Sequence, residues 1–496
     1  MSLLIPLSKR LSPLTAIPLV GGQTTSLAYQ HHPTLKTRHR NITESIMVEL
    51  NLNQFYKACN PSKTIDMANL EDQQYYIDFS SVRGSNIVRE LSRTITLLSG
   101  DEPTCQLFSG HIGCGKSTEL FRLKDSLEQQ GYHVVYFESS QDLDMADVDI
   151  SDIVLAIARQ VSESIQTAAV QLKPGYFGRL FTEIGDFLQT PIELSGEAEI
   201  SIGIARITAR TKDSPKLRSQ LRQYLEPRVS TILEAINEEL LKPANETLKK
   251  RGKNGLVVIV DNLDRVDNSP KSWGRTQPEY LFVDRGEQLR RLHCHVVYTI
   301  PLTLMFSNDY GRLSSRFGVK PKVLPMVPVC NRDGSENPQG LALLQQMVLA
   351  RAFPTLPPEE RISYIPELFE TPQVLDRLCR VSGGHMRRLL MLMYSCLQQD
   401  DPPFSADCLE TVIREYRDDL LGAITDDEWD LLLQVVENQS VRGEDECQTL
   451  LRSMFVFEYR DRSGRWFGIN PALIDTPKYQ NWQLNKSPTH PPAAMN

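Results

Sequence analysis

Eight consecutive residues, Gly110-His111-Ile112-Gly113-Cys114-Gly115-Lys116-Ser117, set a lysine and a hydroxyl directly behind a glycine-rich turn. Clustered phosphate oxygens need several donors converging on them with no side chains in the way. Gly110, Gly113 and Gly115 let the backbone wrap such a cluster and aim its N–H groups inward. The helix expected next, over 117–127, adds the positive end of its dipole. In that setting Lys116 serves the β and γ phosphates of a triphosphate as a point charge. The Ser117 hydroxyl ligates Mg²⁺, and Thr118 meets the α phosphate. Cys114 lies inside the turn, where oxidation would block the phosphates; the remaining cysteines are expected to be buried or semi-buried thiols.

A phosphate loop alone only binds, whereas hydrolysis needs a metal-holding acid and a group that orients water. The apolar run Gly255-Leu256-Val257-Val258-Ile259-Val260-Asp261 delivers a carboxylate at a strand tip, and Asp261 is expected to hold Mg²⁺ through its water shell. Asn262 follows, where many ATPases place a catalytic glutamate. Asp264 is expected either to take that part or to cap the next helix. A later strand ends Tyr298-Thr299-Ile300-Pro301, which puts Thr299 where a hydroxyl could read the γ phosphate. Gly383-Gly384-His385-Met386-Arg387-Arg388 opens a helix; Arg387 is expected to reach back to the phosphates, with Arg388 exposed. Arg312 and Arg316 are candidates for an arginine acting on a second copy of the chain.

These residues need a scaffold that gathers distant segments. Short β-branched runs with little alternation are what strands covered on both faces look like: 104–109 (TCQLFS), 133–138 (HVVYFE), 256–260 (LVVIV), 295–300 (HVVYTI) and 323–329 (VLPMVPV). Helical patterns lie between them, as at 153–165 and 279–292. Strands alternating with helices imply right-handed crossovers and a parallel sheet, so the fold class is α/β. An inserted arm is expected over 170–250. Within it, 199–209 (EISIGIARITA) alternates like a strand or hairpin. Leu217, Leu221, Leu225, Val229, Ile232, Ile236 and Leu240 then recur as one helical face, which either braces the sheet or docks a partner. Pro227 should kink or restart that helix and Pro243 should end it. Beyond 340 the strands stop. Helices are expected at 341–352, 366–369, 374–381 and 386–399, then at 405–421, 426–438 and 444–453, followed by a ribbon 454–459 that turns at 461–464 into 465–469. Three helices and a two-stranded hairpin are the order of a winged helix. The predicted organisation is a leader 1–46, a phosphate-loop domain 47–340, a helical lid 341–400, a winged-helix-like domain 401–475 and a flexible tail 476–496.

At 496 residues the chain exceeds what one core usually serves, which agrees with several domains. With 41% hydrophobic and 23% charged residues it is a globular chain rather than a disordered one, and no stretch approaches the ~18–20 apolar residues of a membrane span. The expected location is the cytoplasm. The nine cysteines form no CxxC pair and no histidine clusters with them, so neither a zinc ribbon nor a disulfide framework is implied. Residues 1–46 are basic, poor in acids and without helical period; they read as a disordered tail, a targeting leader, or a stretch ahead of a true start at Met47.

The order of phosphate-loop strand, acid-tipped strand, Thr-tipped strand, arginine-bearing lid and winged helix resembles the additional-strand P-loop ATPases. Within them it is most similar to the STAND signalling ATPases and their AAA+ relatives such as the origin-recognition initiators. Arg83-Gly84, ahead of an expected helix 86–98, is similar to the Gly-Arg segment that packs on adenine in those families, which implies that Arg83 lies against the base. Asp261-Asn262-Leu263-Asp264-Arg265 is similar to their acidic strand signature. The resemblance spans about residues 70–475 and implies ATP and Mg²⁺ as cofactors. It departs in Asn262, and in lacking a Gly-x-Pro before the lid and any repeat array after the winged helix. A guanine-reading Asn-Lys-x-Asp is missing too, since Asn485-Lys486-Ser487-Pro488 lacks the acid, so ATP is favoured over GTP.

The expected function is a slowly hydrolysing Mg·ATP switch whose nucleotide state sets the arrangement of lid and winged helix. It would signal to a protein partner or through self-association, with no membrane involved. The alternative is a DNA-engaging initiator- or defence-type ATPase. Charge disfavours nucleic acid: the whole chain carries −8, and residues 401–480 alone carry −9. Only the hairpin tip is basic, with Arg460, Arg462 and Arg465 around Trp466.

Overall fold

Five runs rich in β-branched and aromatic residues pair as parallel strands: β1 Cys105–Gly110, β2 His133–Glu138, β3 Leu256–Asp261, β4 His295–Thr299 and β5 Lys322–Leu324. The computed structural model describes residues 49–99, 102–167, 175–187, 203–205, 207, 214–271, 274–441 and 445–486. The leader 1–46 lies outside the described residues, as do most of 199–209 and the tail from 487 onward. The spatial order of the sheet is β2-β3-β4-β1-β5. Strand β4 therefore stands between β1, which runs into the glycine loop, and β3, which ends in Asp261, as the additional-strand arrangement requires. The register sets Val260 beside Tyr298 and Phe108 beside Thr299, so the carboxyl ends of β1, β3 and β4 finish level at one edge. Every residue of β1, β3 and β4 is buried, which is why their sequences are continuous apolar runs.

The edge strand is shorter than 323–329 predicts, because Pro325 and Pro328 have no N–H to give to a ladder. Met326 N donates to Glu458 O at 2.9 Å instead, which turns the chain away from the sheet toward the C-terminal hairpin.

One face of the sheet is covered by Ile87–Arg93, its wider-wound continuation Thr94–Leu98, and Lys116–Gln129. The other carries Ile150–Thr167, where Ile153, Ile157, Val161 and Ile165 form a fully buried stripe, together with the Lys242–Lys250 helix. The arm thus braces the sheet. Pro227 sits in a tight turn, Glu226–Arg228, as expected. Pro243 does not end the helix. A wide turn over Ile236–Leu241 runs straight into Lys242–Lys250, and Pro243 occupies the first turn of the new segment, where an N–H is dispensable. Within 199–209 the described residues Gly203, Ile204, Ala205 and Ile207 are helical, not extended. Ile204 and Ile207, three apart and both buried, explain the choice.

The lid consists chiefly of Pro338–Ala352, Pro372–Val381 and Met386–Gln399. Helices Ala406–Ala423, Asp426–Asn438 and Asp445–Arg452 follow, then the antiparallel hairpin β6 Val456–Asp461 and β7 Gly464–Ile469. A capping box between Thr425 and Glu428 fixes the start of the second of these helices. The first part of the expected flexible tail is a helix, Pro477–Lys486, pinned by Lys478 to Asp426 at 2.6 Å and by the buried Tyr479. The inner side of the hairpin, Phe457, Tyr459 and Trp466, belongs to the same hydrophobic core as Phe108 of β1 and Leu120 of the loop helix.

Candidate nucleotide site

The loop between β1 and the Lys116–Gln129 helix turns through Gly110, Gly113 and Gly115, all at positive φ. Gly113, at φ +88°, cannot carry a side chain: a Cβ would stand 2.6 Å from the His385 ring. Lys116, 6% exposed, folds back over the loop, and its Nζ donates to Gly110 O at 2.9 Å and His111 O at 2.8 Å and pairs with Asp264 Oδ2 at 2.9 Å. The Lys116 ammonium is held above the usual lysine range by Asp264, against the opposing effect of burial. A triphosphate taking this loop would draw Lys116 onto its own oxygens and leave the Asp264 carboxylate free. The other Asp264 oxygen, Oδ1, is buried with no hydrogen-bond partner.

Asp264 lies in the tight turn Leu263–Arg265 and caps no helix, because Val266 returns to an extended conformation. The turn starts at Asn262, whose φ of +65° is left-handed. Asparagine tolerates that region better than most residues, which gives a backbone reason for an amide at this position. Asp261, 1% exposed, accepts from Tyr136 Oη at 2.9 Å and from Asn262 N at 2.7 Å, and it hydrogen-bonds the Ser117 hydroxyl. Burial, with Asp264 nearby, pushes its carboxyl above the ordinary range. A hydroxyl and a desolvated carboxylate in direct contact at the end of a phosphate loop are the donor set that a Mg²⁺ ion and its water shell fit, and the ion would restore full charge to the acid.

Thr299 is placed differently from expectation. It is fully buried, and its hydroxyl accepts from Leu263 N at 3.0 Å and donates to Val260 O at 3.4 Å, so it fixes the Asp264 turn. Cys114 is also fully buried, with Sγ 3.7 Å from Leu324 O of the edge strand. Burial pushes the thiol above its ordinary range, so it is neither exposed nor reactive enough to gate phosphates by oxidation. Cys114 contributes through its carbonyl, which accepts from Arg83 Nη2 at 2.7 Å. Arg83 is 3% exposed and lies 5.5 Å from the Phe79 ring, tying the segment before the first helix to the loop.

The cleft that Lys116, Ser117 and Thr118 line also has an apolar wall formed by Ile65, Tyr75, Ile77, Met347, Met386 and Leu390. Sequence reasoning named Lys116, Ser117, Thr118 and Arg83, all of which line this cleft, but missed the apolar wall. The aromatic run Tyr75-Tyr76-Ile77-Asp78-Phe79 just ahead of Arg83 was its only local signal. Arg351 fastens the wall: from the lid helix its buried guanidinium donates to Ala58 O at 3.1 Å and to Met347 O at 2.8 Å.

Lid and hairpin both grip the loop. His385 caps the Met386–Gln399 helix through Nδ1, which accepts from Arg388 N at 2.9 Å; its Nε2 donates to Ile112 O at 2.8 Å. Arg387 N donates to Gly113 O at 3.1 Å. From the other side His111 Nε2 accepts from Glu458 N of β6 at 3.0 Å, and the Phe457 ring lies against both imidazoles. Burial drives the imidazoles down to about 3 (His111) and about 4 (His385), so both stay neutral. Arg387 lines the cleft, whereas Arg388 stacks on Tyr416 at 3.8 Å and is half-buried, not exposed. Arg312 is ion-paired to Asp309 at 3.0 Å and Asp284 at 3.5 Å.

Strand order, loop and lid settle the architecture. The chain has an additional-strand P-loop fold. No family model and no curated protein matches the sequence. Among solved structures the chain is similar to the Aeropyrum pernix ORC2 protein in its ADPNP-ADP complexes (13% identity, TM-score 0.37, 84% of this chain and 93% of that one). It is also similar to a chain of Drosophila ORC bound to DNA (11%, 0.34, 91% and 96%) and to Cdc6p from Pyrobaculum aerophilum (10%, 0.36, 84% and 94%). At such distance neither ligand nor activity transfers.

Proposed function

We propose that this chain is a Mg·ATP-binding and slowly hydrolysing ATPase, and that the nucleotide acts as a switch on the lid and the C-terminal hairpin. One observation carries the reading: Lys116, Ser117, Asp261 and Asp264 converge at level strand ends beneath a glycine loop that lid and hairpin both touch. Lys116 and the loop amides would bind the phosphates, and Ser117 and Asp261 would hold Mg²⁺, which supplies charge neutralisation between the outer phosphates. The apolar wall of the cleft suits adenine. Hydrolysis joins a water oxygen to the γ phosphorus while the bond to the β,γ-bridging oxygen breaks. ADP leaves with that electron pair, and Asp264, released from Lys116, accepts the water proton. Lacking a second acid at Asn262, the site should turn over slowly.

The hairpin favours an intramolecular clamp over a DNA-binding wing. Its apolar side is used inside the core, and Arg460 lies against Gly84. Isothermal titration with ATP and Mg²⁺ tests the main reading: binding by wild type and its loss in Lys116→Ala are expected, and equal micromolar affinity in both would sink it. A duplex-DNA shift at physiological salt would favour the initiator-like alternative.

A further inference from the structure

Arg265 is the residue after Asp264, and its backbone is held rigidly. Its N–H donates to Asn262 O at 3.1 Å, Leu263 N is fixed by the Thr299 hydroxyl, and Asp264 is paired with Lys116. The side chain lines two clefts at once. One is the nucleotide cleft; the other opens on the far side of the loop, between Gly110–Ile112 and the Asp445–Arg452 helix. Arg265 is exposed and Arg387 half-buried, and neither has a side-chain hydrogen bond or ion pair among the described residues. Burial first, and the neighbouring Arg265 guanidinium second, disfavour the charge on Arg387. Two unpartnered cations set side by side at the mouth of an anion-binding loop repel each other until an anion lies between them.

We propose that Arg265 is the arginine that contacts the γ phosphate of the nucleotide bound by its own chain, with Arg387 completing the clamp from the lid. This rests on the ATP reading above and deepens it by assigning the arginine to the same chain. A second copy then need not supply one, and Arg312, already committed to Asp309 and Asp284, is not required. ADP lacks the group that Arg265 holds, so the residue would set the preference for ATP and stabilise charge as the γ phosphate is transferred to water.

The test compares full-length wild type, Arg265→Ala and Arg265→Lys for ATP and ADP affinity and for phosphate release. It also measures an equimolar mixture of Arg265→Ala with Lys116→Ala. Arg265→Ala should lose ATP affinity by ~10-fold or more while ADP affinity stays within ~3-fold, and hydrolysis should fall ~100-fold. Arg265→Lys, which keeps the charge but not the fork, should be intermediate. The mixture should stay inactive and wild-type turnover per chain should not change with protein concentration. An unchanged ATP-to-ADP ratio in Arg265→Ala overturns the proposal while leaving the ATP reading intact. Activity restored on mixing overturns it too, by placing the arginine in a neighbouring chain. Wild type binding neither nucleotide would remove both readings.

Discussion

Lys116 and Asp264 face each other with side chains only 5% and 4% exposed, so each is the other's main compensation for lost water. Truncating one partner of such a pair leaves a buried charge uncompensated and typically costs ~3–5 kcal/mol. Lys116→Ala should therefore lower the denaturation midpoint as well as abolish nucleotide binding. Lys116→Ala/Asp264→Asn should recover much of the stability and none of the binding, which chemical denaturation beside titration calorimetry would register. A double variant as unstable as the single one would mean the pair is not what holds the loop. The loop was legible in the sequence because its chemistry is local, with three glycines, a lysine and a serine at fixed spacing. Thr299 was misplaced because order along the chain fixes a strand end but not the direction of its hydroxyl. Its use, holding Leu263 N, appears only when β3 and β4 are side by side.

At the scale of elements, the seam joining loop, lid and hairpin carries titratable groups with opposite leanings. His111 and His385, at about 3 and about 4 in the fold, bind protons more readily when unfolded, near ~6.5. Their contribution is complete above ~6.5 and is lost as pH falls toward 4 and 3; at pH 5 each should cost ~2 kcal/mol. Glu458 of β6 behaves in reverse. Burial raises its carboxyl to about 7, so the fold holds that proton where the unfolded chain does not. That contribution is present below the unfolded value of ~4.5 and is lost as pH rises through about 7. Glu458→Gln should accordingly stabilise the protein by ~2–3 kcal/mol at pH 8 and change little near pH 5, while wild type should lose stability steeply below pH 6. Thermal midpoints across pH 4–9 would check both, and a Glu458→Gln profile parallel to wild type would contradict the assignment. Gly384 is the tightest point of the same seam: at φ +73°, a Cβ would come within 1.7 Å of Val327 O. Gly384→Ala should detach the lid helix from the loop and weaken ATP binding ~10-fold or more by titration, since no flexible side chain can yield there. Strands and long helices were readable from apolar period. What failed turned on context that is not local: β5 is cut short because Met326 N serves the hairpin, residues 203–205 and 207 are helical because Ile204 and Ile207 are buried together, and Pro243 is tolerated in the first turn of a new segment.

Across the whole molecule, the decisive feature is that the C-terminal hairpin is a keystone rather than an appendage. Phe457, Tyr459 and Trp466 are 1%, 1% and 4% exposed, Tyr459 stacks on Trp466 with centroids 4.5 Å apart, and the Tyr459 hydroxyl donates to Gly383 O at 2.9 Å. Aromatic side chains bury ~150–250 Å² each, so the three together account for ~11–19 kcal/mol of burial shared with the sheet, by the ~25 cal/mol per Å² rule. The hairpin also closes the hydrogen bond to His111 and the continuation from β5 through Met326. Charge argued from the sequence that this region does not coat nucleic acid, but nothing local revealed that its aromatics complete the core of the phosphate-loop domain. A chain cut after Gln399 should therefore not behave as a free-standing ATPase domain. It should expose the matching apolar face of the sheet, bind a hydrophobic dye, self-associate in size-exclusion chromatography and lose ATP binding along with the loop's outer support. A module that merely docked on request would leave behind a monodisperse fragment with undiminished ATP affinity. That result would detach the hairpin from the nucleotide and reduce the switch to the lid alone.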